Sequence, residues 1–237
     1  MPMGNRAPSP RIAGDDAQET RRIKVFIVDD HPVVRQGLAL VLRLEPDMVV
    51  CGEAETVTDA LRGIESARPD VAIVDLSLRD SSGLELVKDL HVYRPELPVV
   101  VLSMHDESLF AERVLKAGAK AYLMKDEAQE TILAAIRKVH AGGMYLSERM
   151  SGRLLAMFLQ GTTSPGESLI SRLSDRELEV FELIGRGVTT REIAGKLNLS
   201  IKTVEAHREH IKKKLKLADA TALMQHAIHW VQTGKPV

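Results

Sequence analysis

The run Ile23-Lys-Val-Phe-Ile-Val-Asp29-Asp30, followed at once by His31-Pro32, carries the strongest information on the fold of this chain. A short β-branched apolar run indicates a buried strand, and its acidic pair marks the carboxyl end. Pro32 fits the first turn of a helix. The apolar residues that follow recur at the spacing of an amphipathic helix: Val33, Val34, Gly37, Leu38, Val41 and Leu42. The stretch therefore predicts a strand that leads directly into a helix.

The same pattern recurs along the first 140 residues. The further strands are predicted at Met48–Gly52, Val71–Asp75, Pro98–Leu102 and Ala119–Leu123. Segments of helical period separate them; Ser82-Gly-Leu-Glu85 has the spacing of a capping box, and Asp126 is expected to cap a last helix, 127–140. Five strands alternating with five helices predict an α/β fold with a doubly wound, five-stranded parallel sheet.

Several predicted strands end in polar residues, namely Asp29, Asp30, Asp75, Ser103 and Lys125. The carboxyl ends of parallel strands meet at one edge of a sheet, where α/β proteins place their sites. Carboxylates crowded there repel one another unless a hard cation such as Mg²⁺ neutralises them through oxygen ligands. A carboxylate beside Mg²⁺ and a lysine is well placed to attack a phosphoryl group and carry it covalently.

The rest of the chain has a helical pattern. A helix is predicted over 147–160, and a turn-rich linker follows it at 161–168. Ser174-Asp-Arg-Glu177 and Thr189-Thr-Arg-Glu192 have the spacing of capping boxes. Four helices are predicted, over 175–185, 190–197, 201–217 and 220–233. Two short helices joined by a tight turn, with Ser200 capping the second and basic one, indicate a helix-turn-helix.

Charge is distributed unevenly between the two halves. Residues 22–140 contain 15 Lys or Arg against 20 Asp or Glu, whereas residues 174–237 contain 11 against 8. Within 196–216, seven basic residues face two acidic ones. This asymmetry favours two domains, of which the second meets a polyanion, although a solvated helix face would also explain the charge alone.

Composition excludes several classes of protein. Hydrophobic residues make up 44% of the 237 residues, and the sequence has no apolar stretch near the roughly 20 residues that a membrane span needs. Cys51 is the only cysteine, which excludes an internal disulfide and fits a reducing cytoplasm. Residues 1–21 lack the apolar centre of a secretory signal and are expected to form a disordered tail.

The ordered set of Asp29-Asp30, Asp75, Ser103 and Lys125 on successive strands resembles the receiver domain of two-component systems, which has a flavodoxin-like sheet. The motifs Leu173-Ser-Asp-Arg-Glu-Leu-Glu-Val, Glu192-Ile-Ala-Gly-Lys-Leu and Ser200-Ile-Lys-Thr-Val-Glu-Ala-His-Arg resemble a LuxR-type DNA-binding domain. Together they resemble a response regulator of the NarL/FixJ subfamily. The resemblance divides the chain into a receiver domain (22–140), a linker with a helix (141–169) and a DNA-binding domain (170–237).

For the receiver, the resemblance implies that Asp75 accepts a phosphoryl group from a sensor histidine kinase. Mg²⁺ would be bound directly by Asp30 and Asp75, through water by Asp29 and by the backbone carbonyl of Ser77. Lys125 would pair with the phosphoryl oxygens.

Ser103 would hydrogen-bond one of these oxygens and shift toward it, and Tyr122 would be the aromatic residue that swings inward in response. Arg79 stands where receivers often have proline, which predicts a different loop or kinase contact. His31 is interpreted as a loop residue rather than a metal ligand.

For the second domain, the resemblance implies that a recognition helix begins at Ile201 and enters the major groove. Val204, Ile211 and Leu215 are expected to pack inward. The residues expected at the DNA are Lys202, Thr203, Glu205, Ala206, Arg208, Glu209 and Lys212. Glu205 and Ala206 occupy base-reading positions, while Lys212, Lys213 and Lys214 supply general attraction to phosphate.

The function implied is that of a cytoplasmic, phosphorylation-controlled transcription regulator that dimerises when phosphorylated and binds double-stranded promoter DNA, with RNA polymerase as a further partner. It would not be an enzyme beyond self-phosphorylation and autodephosphorylation. An aspartate-nucleophile phosphatase of the haloacid dehalogenase type is rejected, because in that class the second Asp stands two residues after the nucleophile, whereas Asp29 and Asp30 are adjacent. A small-ligand-binding LuxR regulator is disfavoured by 3% aromatic content and an acidic crevice.

The apolar stripe of the last helix predicts the dimer contact. It comprises Ala220, Leu223, Met224, Ala227, Ile228 and Val231. The stripe is expected to be partly buried against its copy in the active dimer. In the resting chain, this stripe or the recognition helix is expected to be masked by the receiver.

Overall fold

Strands and helices alternate through the first part of the chain, as the hydrophobic pattern predicts. The computed structural model describes residues 22–78, 82–159 and 169–233. Its first ten elements are β1 (Ile23–Val28), α1 (Pro32–Leu44), β2 (Met48–Ala54), α2 (Val57–Ala67), β3 (Val71–Val74), α3 (Gly83–Tyr93), β4 (Val99–Ser103), α4 (Glu107–Lys116), β5 (Ala121–Met124) and α5 (Gln129–His140).

The five strands form one parallel sheet in the order β2-β1-β3-β4-β5. The chain moves outward from β1 in both directions, so β1 and β3 flank the point where the strand order reverses. Val28 pairs with Val74 across these two strands. Asp29 and Asp75 follow that pair directly, and the register therefore brings the two acidic strand ends side by side.

Helices cover both faces of the sheet. On one face, α1 and α5 pack apolar residues such as Leu42 and Ile136 against Ile27 and Ile73. On the other face, helices α2, α3 and α4 pack around Phe26, and that apolar cluster runs on into the helical half of the chain. A parallel sheet covered on both faces confirms the doubly wound α/β fold.

The second half is helical, as predicted. Its elements are α6 (Glu148–Leu159), a 3-10 helix (Leu169–Arg172), α7 (Asp175–Gly185), α8 (Thr190–Lys196), α9 (Ile201–Leu215) and α10 (Ala220–Thr233). Both predicted capping boxes are present, at the start of α7 and at the start of α8. Ser200 caps α9 by accepting a hydrogen bond from the Thr203 N–H at 3.0 Å. The tight turn between α8 and α9 completes the helix-turn-helix.

One capping prediction is wrong and another is confirmed in part. Helix α5 begins at Gln129 rather than Glu127, and its N-cap is Ala128 rather than Asp126. Helix α3 does begin after Ser82, which is its N-cap. The Ser82 hydroxyl, however, accepts from the Leu84 N–H and not from that of Glu85, whose carboxylate pairs with a lysine one turn along.

Three predicted features lie outside the described residues: Arg79, the tail at 1–21 and the linker at 161–168. What the sequence predicts for them stays a prediction. Within the part of the chain that the structure describes, none of the helices combines the length and apolar character needed to cross a membrane.

Candidate functional site

Three strand ends bring charged side chains into contact at one edge of the sheet. Lys125, just after β5, places its Nζ atom 2.7 Å from Asp29 Oδ2 and 2.7 Å from Asp75 Oδ2. Asp29 and Asp75 are each only 2% exposed. Asp30 lies beside them, also buried. The convergence predicted from the strand order is therefore present.

Burial sets the protonation behaviour of this cluster. Loss of hydration raises the pKa of Asp75 to about 6; the Lys125 ammonium opposes the rise, whereas the Asp29 carboxylate adds to it. Burial lowers the pKa of Lys125, but the Asp75 and Asp29 carboxylates outweigh that effect and raise it. A buried acid that shares one ammonium with a second acid is typical of a functional centre.

The donor set suits a hard divalent cation. Among the described residues, Asp29, Asp30, His31 and Asp75 form a group whose ligand atoms all lie within 4.8 Å of one another. Asp75 Oδ1 is buried and accepts no hydrogen bond from the residues that the structure describes. Three carboxylates and one ammonium leave a net charge of −2, and carboxylate oxygens are the ligands that Mg²⁺ prefers.

His31 belongs to this cluster, which the sequence interpretation as a loop residue missed. Its Nδ1 atom lies 2.7 Å from Asp30 Oδ1 and 3.4 Å from Asp29 Oδ1. Its backbone N–H also donates to Asp29 Oδ1 at 2.8 Å. The available signal was its position directly after the acidic pair.

The loop after β3 passes very close to Asp75. A Cβ atom on Gly83 would lie 1.8 Å from the Asp75 carbonyl oxygen, so only glycine fits at this position. The Gly83 N–H donates to the Leu76 carbonyl at 2.8 Å, and Ser77 bridges to Ser82. These contacts hold Leu76 and Ser77 against the start of α3, directly after Asp75.

Ser103 and Tyr122 meet at one backbone segment. Ser103, the last residue of β4, is fully buried, and its Oγ accepts from the His105 N–H at 3.2 Å. The Tyr122 hydroxyl donates to the His105 carbonyl at 2.8 Å. Tyr122 is 2% exposed, so its ring lies inside in this arrangement. Its inward movement in response to phosphorylation stays a prediction.

The His105 ring joins the two halves of the chain. Its Nε2 atom lies 2.9 Å from Ser77 Oγ, and its Nδ1 atom lies 2.5 Å from Oε2 of Glu182 in α7. Burial lowers the pKa of His105, but the Glu182 carboxylate outweighs it and raises the pKa. The Asp106 N–H also donates to Glu182 at 3.2 Å. No sequence motif marked His105 or Glu182, because their contact spans 77 positions.

A second group of contacts lies further along the same boundary. The Arg113 guanidinium of α4 donates to the carbonyls of Leu173 and Ile170, each at 2.8 Å, and pairs with Asp175 at 3.2 Å. Lys88 of α3 also pairs with Asp175, at 2.9 Å. These contacts reach the 3-10 helix and the start of α7.

A crevice of about 760 Å³ separates the acidic cluster from the helical half. Asp75 and Lys125 line one wall, and Arg176, Arg186 and Lys196 line the other. The lining continues to Asn198, in the turn before α9. The receiver thus faces the start of the recognition helix.

Helix α9 presents the surface expected for DNA. Val204, Ile211 and Leu215 are buried as predicted. Of the residues predicted to face DNA, Lys202, Glu205, Ala206 and Glu209 are exposed, whereas Thr203, Arg208 and Lys212 are half-buried.

Two of the half-buried side chains have partners within the helix. Thr203 Oγ1 lies 2.7 Å from Ser200 Oγ at the helix start. Lys212 Nζ lies 2.8 Å from Glu209 Oε1. Further along, Lys214 pairs with Glu177 of α7 at 2.6 Å, which fixes the recognition helix on its support.

Helix α10 covers its own domain with part of the predicted dimer stripe. Leu223 and Ala227 are fully buried. Gly185 of α7 approaches so closely that a Cβ there would lie 2.5 Å from the Ala227 carbonyl oxygen. Met224 is 46% exposed, and it is the side chain of the stripe best placed to meet a second copy.

Comparison with known proteins assigns both halves. Residues 25–137 match the family described as response regulator receiver domain, and residues 171–227 match bacterial regulatory proteins of the luxR family. Over 210 residues the chain is 36% identical to the oxygen regulatory protein NreC of Staphylococcus carnosus, covering 87% of this chain and 97% of the relative.

Solved structures give the same assignment. A structure of the Salmonella typhimurium RcsB response regulator is similar with a TM-score of 0.60 at 29% identity, covering 88% of this chain and 98% of that one. RcsB of Salmonella enterica serovar Typhimurium, bound to promoter P1flhDC with the phosphomimetic BeF3-, has a TM-score of 0.55 at 30% identity, covering 87% and 98%.

The chain therefore belongs to the two-component response regulators, a class of phosphorylation-controlled transcription regulators. Within that class it is a receiver joined to a LuxR-type DNA-binding domain, homologous to NreC and similar to RcsB. The resemblance inferred from the strand-end residues is confirmed.

Proposed function

We propose that Asp75 accepts the phosphoryl group from a phosphohistidine of a sensor histidine kinase. The observation that carries this proposal is the buried Asp75 carboxylate. It and Asp29 each lie 2.7 Å from the Lys125 ammonium, and one of its oxygens has no hydrogen-bond partner among the described residues. That oxygen attacks phosphorus as the phosphorus–nitrogen bond of the donor breaks, and the donor imidazole keeps the electron pair. The product is an acyl phosphate on Asp75, later lost to water.

The acidic cluster fits Mg²⁺, which Asp30, Asp75 and the Ser77 carbonyl would hold directly and Asp29 would hold through water. When bound, the ion neutralises charge on the phosphoryl oxygens. Lys125 moves from the carboxylates to a phosphoryl oxygen, because its ammonium already lies within hydrogen-bond distance of the acceptor. Side chains fixed before transfer lower its barrier, since they need little rearrangement.

We further propose that His105 transmits the phosphorylation state to the DNA-binding domain. Ser103 and Tyr122 both hydrogen-bond the His105 backbone, and its ring bonds Ser77 and Glu182. When Ser103 turns its hydroxyl toward a phosphoryl oxygen, it withdraws the acceptor of the His105 N–H. The new dianion also lies across the crevice from the Glu182 carboxylate. Both effects weaken the bond between His105 and Glu182.

Release of this contact frees the recognition helix. Residues 195–198 line the crevice just before α9, so a duplex entering along the first turns of α9 meets the receiver. After opening, Lys202 and Arg208 contact phosphates, while Glu205 and Ala206 face base edges. Two copies, meeting in part through Met224 of α10, double the number of base contacts on promoter DNA.

The regulator acts in the cytoplasm, where kinase, promoter and RNA polymerase are available and where Cys51 stays reduced. Its chemistry is limited to acceptance and hydrolytic loss of its own phosphoryl group.

Acetyl phosphate with Mg²⁺ tests the acceptor, with intact-mass spectrometry as the readout. Wild type gains the mass of one phosphoryl group, Asp75→Asn gains none, and Asp30→Asn gains it only at higher Mg²⁺. The matched control is Asp89→Asn, on α3 and away from the sheet edge, which behaves as wild type. A phosphoryl adduct on Asp75→Asn would refute the assignment.

A further inference from the structure

We propose that the imidazole of His31 is a ligand of the metal site, so that the site binds divalent ions that favour imidazole, such as Co²⁺ or Zn²⁺, in addition to Mg²⁺. The inference rests on the proposed carboxylate metal site and adds one nitrogen ligand to it. A carboxylate-only site has little preference of this kind, because hard oxygen donors suit Mg²⁺.

The distances leave a short path to coordination. His31 Nδ1 lies 2.7 Å from Asp30 Oδ1, 3.4 Å from Asp29 Oδ1 and 4.0 Å from Asp75 Oδ2. Two ligands bound to one ion at about 2.0–2.2 Å can lie at most about 4.4 Å apart. All four ligand atoms already lie within 4.8 Å of one another, so side-chain shifts of a few tenths of an ångström suffice.

The backbone holds the ring toward the cluster. His31 is the N-cap residue of α1, in extended conformation, but its side chain makes no capping hydrogen bond. Its N–H donates to Asp29 Oδ1 at 2.8 Å, and the Arg35 guanidinium donates to the Asp29 carbonyl at 2.6 Å. The segment from Asp29 to the first turn of α1 is thereby fixed. The His31 side chain is 62% exposed, so an ion from solvent reaches its ring directly.

Charge and donor chemistry agree with this role. With a neutral imidazole the cluster of Asp29, Asp30, Asp75 and Lys125 carries a net charge of −2, which one divalent ion balances. Asp75, a member of the same cluster, has a buried Oδ1 atom without a hydrogen-bond partner among the described residues. Carboxylate oxygens of Asp30 and Asp75, together with one imidazole nitrogen, form a set that Co²⁺ and Zn²⁺ bind more tightly than Mg²⁺ does.

Calorimetric titration of the full-length chain with MgCl₂ and with CoCl₂ tests the proposal. His31→Ala is expected to lower Co²⁺ affinity by more than about tenfold and to change Mg²⁺ affinity by less than about twofold. The visible absorption spectrum of bound Co²⁺ changes when the ion loses a nitrogen ligand, and this change is measured independently of any activity. His140→Ala, which removes an exposed histidine at the end of α5, controls for adventitious binding and leaves both affinities unchanged. Competition with excess Mg²⁺ identifies the Co²⁺ bound at this site.

The outcomes separate the two levels of the proposal. Equal Co²⁺ affinity and spectrum in wild type and His31→Ala would overturn the role of His31. Equal losses for both ions would overturn it as well, because His31 would then act on the carboxylates and not on the metal. If Asp30→Asn and Asp75→Asn bind Mg²⁺ as wild type does, the carboxylate site itself is wrong, and the proposed function fails with it.

Discussion

Replacing Glu182 by Gln should open the resting protein without phosphorylation. Glu182 is 1% exposed and accepts from His105, from the Asp106 N–H at 3.2 Å and from Arg186 at 2.6 Å. Breaking a buried charged pair costs about 3–5 kcal/mol. Because Gln keeps the shape of Glu and one acceptor oxygen, we expect the substitution to destabilise the closed state by about 2–3 kcal/mol. A shift of that size raises the open-to-closed ratio by about 30- to 150-fold.

DNA affinity and small-angle X-ray scattering of the unphosphorylated full-length chain measure this shift. Glu182→Gln should bind DNA more tightly than wild type and show a larger radius of gyration, because the halves separate. Glu179→Gln is the matched control. It removes an equally buried carboxylate from the same helix, but one whose hydrogen bond goes to Arg176 within the DNA-binding domain. Unchanged scattering and affinity in Glu182→Gln, or an equal change in both variants, would refute the proposal that the contact between His105 and Glu182 keeps the two halves together.

Three further predictions concern the acceptor, the DNA surface and the dimer. Because the pKa of Asp75 is raised from 3.8 to about 6, its charged form is disfavoured in the fold. Without divalent ions, the free energy of unfolding should therefore rise as pH falls from 7 through 6 toward 4, by at most about 3 kcal/mol. Denaturant titrations of wild type and Asp75→Asn at several pH values measure this rise. Equal pH dependence in the two proteins would contradict the prediction. Lys202→Ala should weaken DNA binding across sequences and lower the slope of log affinity against log salt by about one unit, whereas Glu205→Ala should change the preferred base at a cost of about 1–3 kcal/mol. Selection from random duplexes separates the two effects. Wild-type behaviour in both variants would mean that the DNA face is misplaced. Met224→Asp should abolish phosphorylation-dependent dimerisation, measured by sedimentation, without unfolding the domain. Leu223→Asp, in contrast, places a charge in the core and unfolds the domain. An unchanged dimer in folded Met224→Asp would exclude α10 as the dimer contact.

The sequence predicted the sheet edge because strand order and polar strand ends are local signals. Each of Asp29, Asp75 and Lys125 follows its own apolar run, and parallel pairing alone brings them together. The capping boxes at Ser174 and Thr189 were likewise predictable, since their partners stand three residues apart.

The contacts between the halves could not be predicted in this way. His105 and Glu182 follow no motif, and their bond depends on how the two halves of the chain pack together. The sequence also could not tell which residues of the α10 stripe are covered by their own domain, such as Leu223. An apolar stripe on a helix shows that a face is covered, but not whether its own domain or a second copy covers it. The fit of α10 to Gly185 decides that question, and it is a tertiary property.

The most direct test of the account compares DNA affinity in four samples. Wild type and Asp75→Asn are each titrated onto a duplex selected from a random pool, with and without acetyl phosphate and Mg²⁺. The account predicts that the phosphoryl donor strengthens binding by the wild type alone. An equal gain in Asp75→Asn, or no gain in phosphorylated wild type, would contradict control of DNA binding through Asp75.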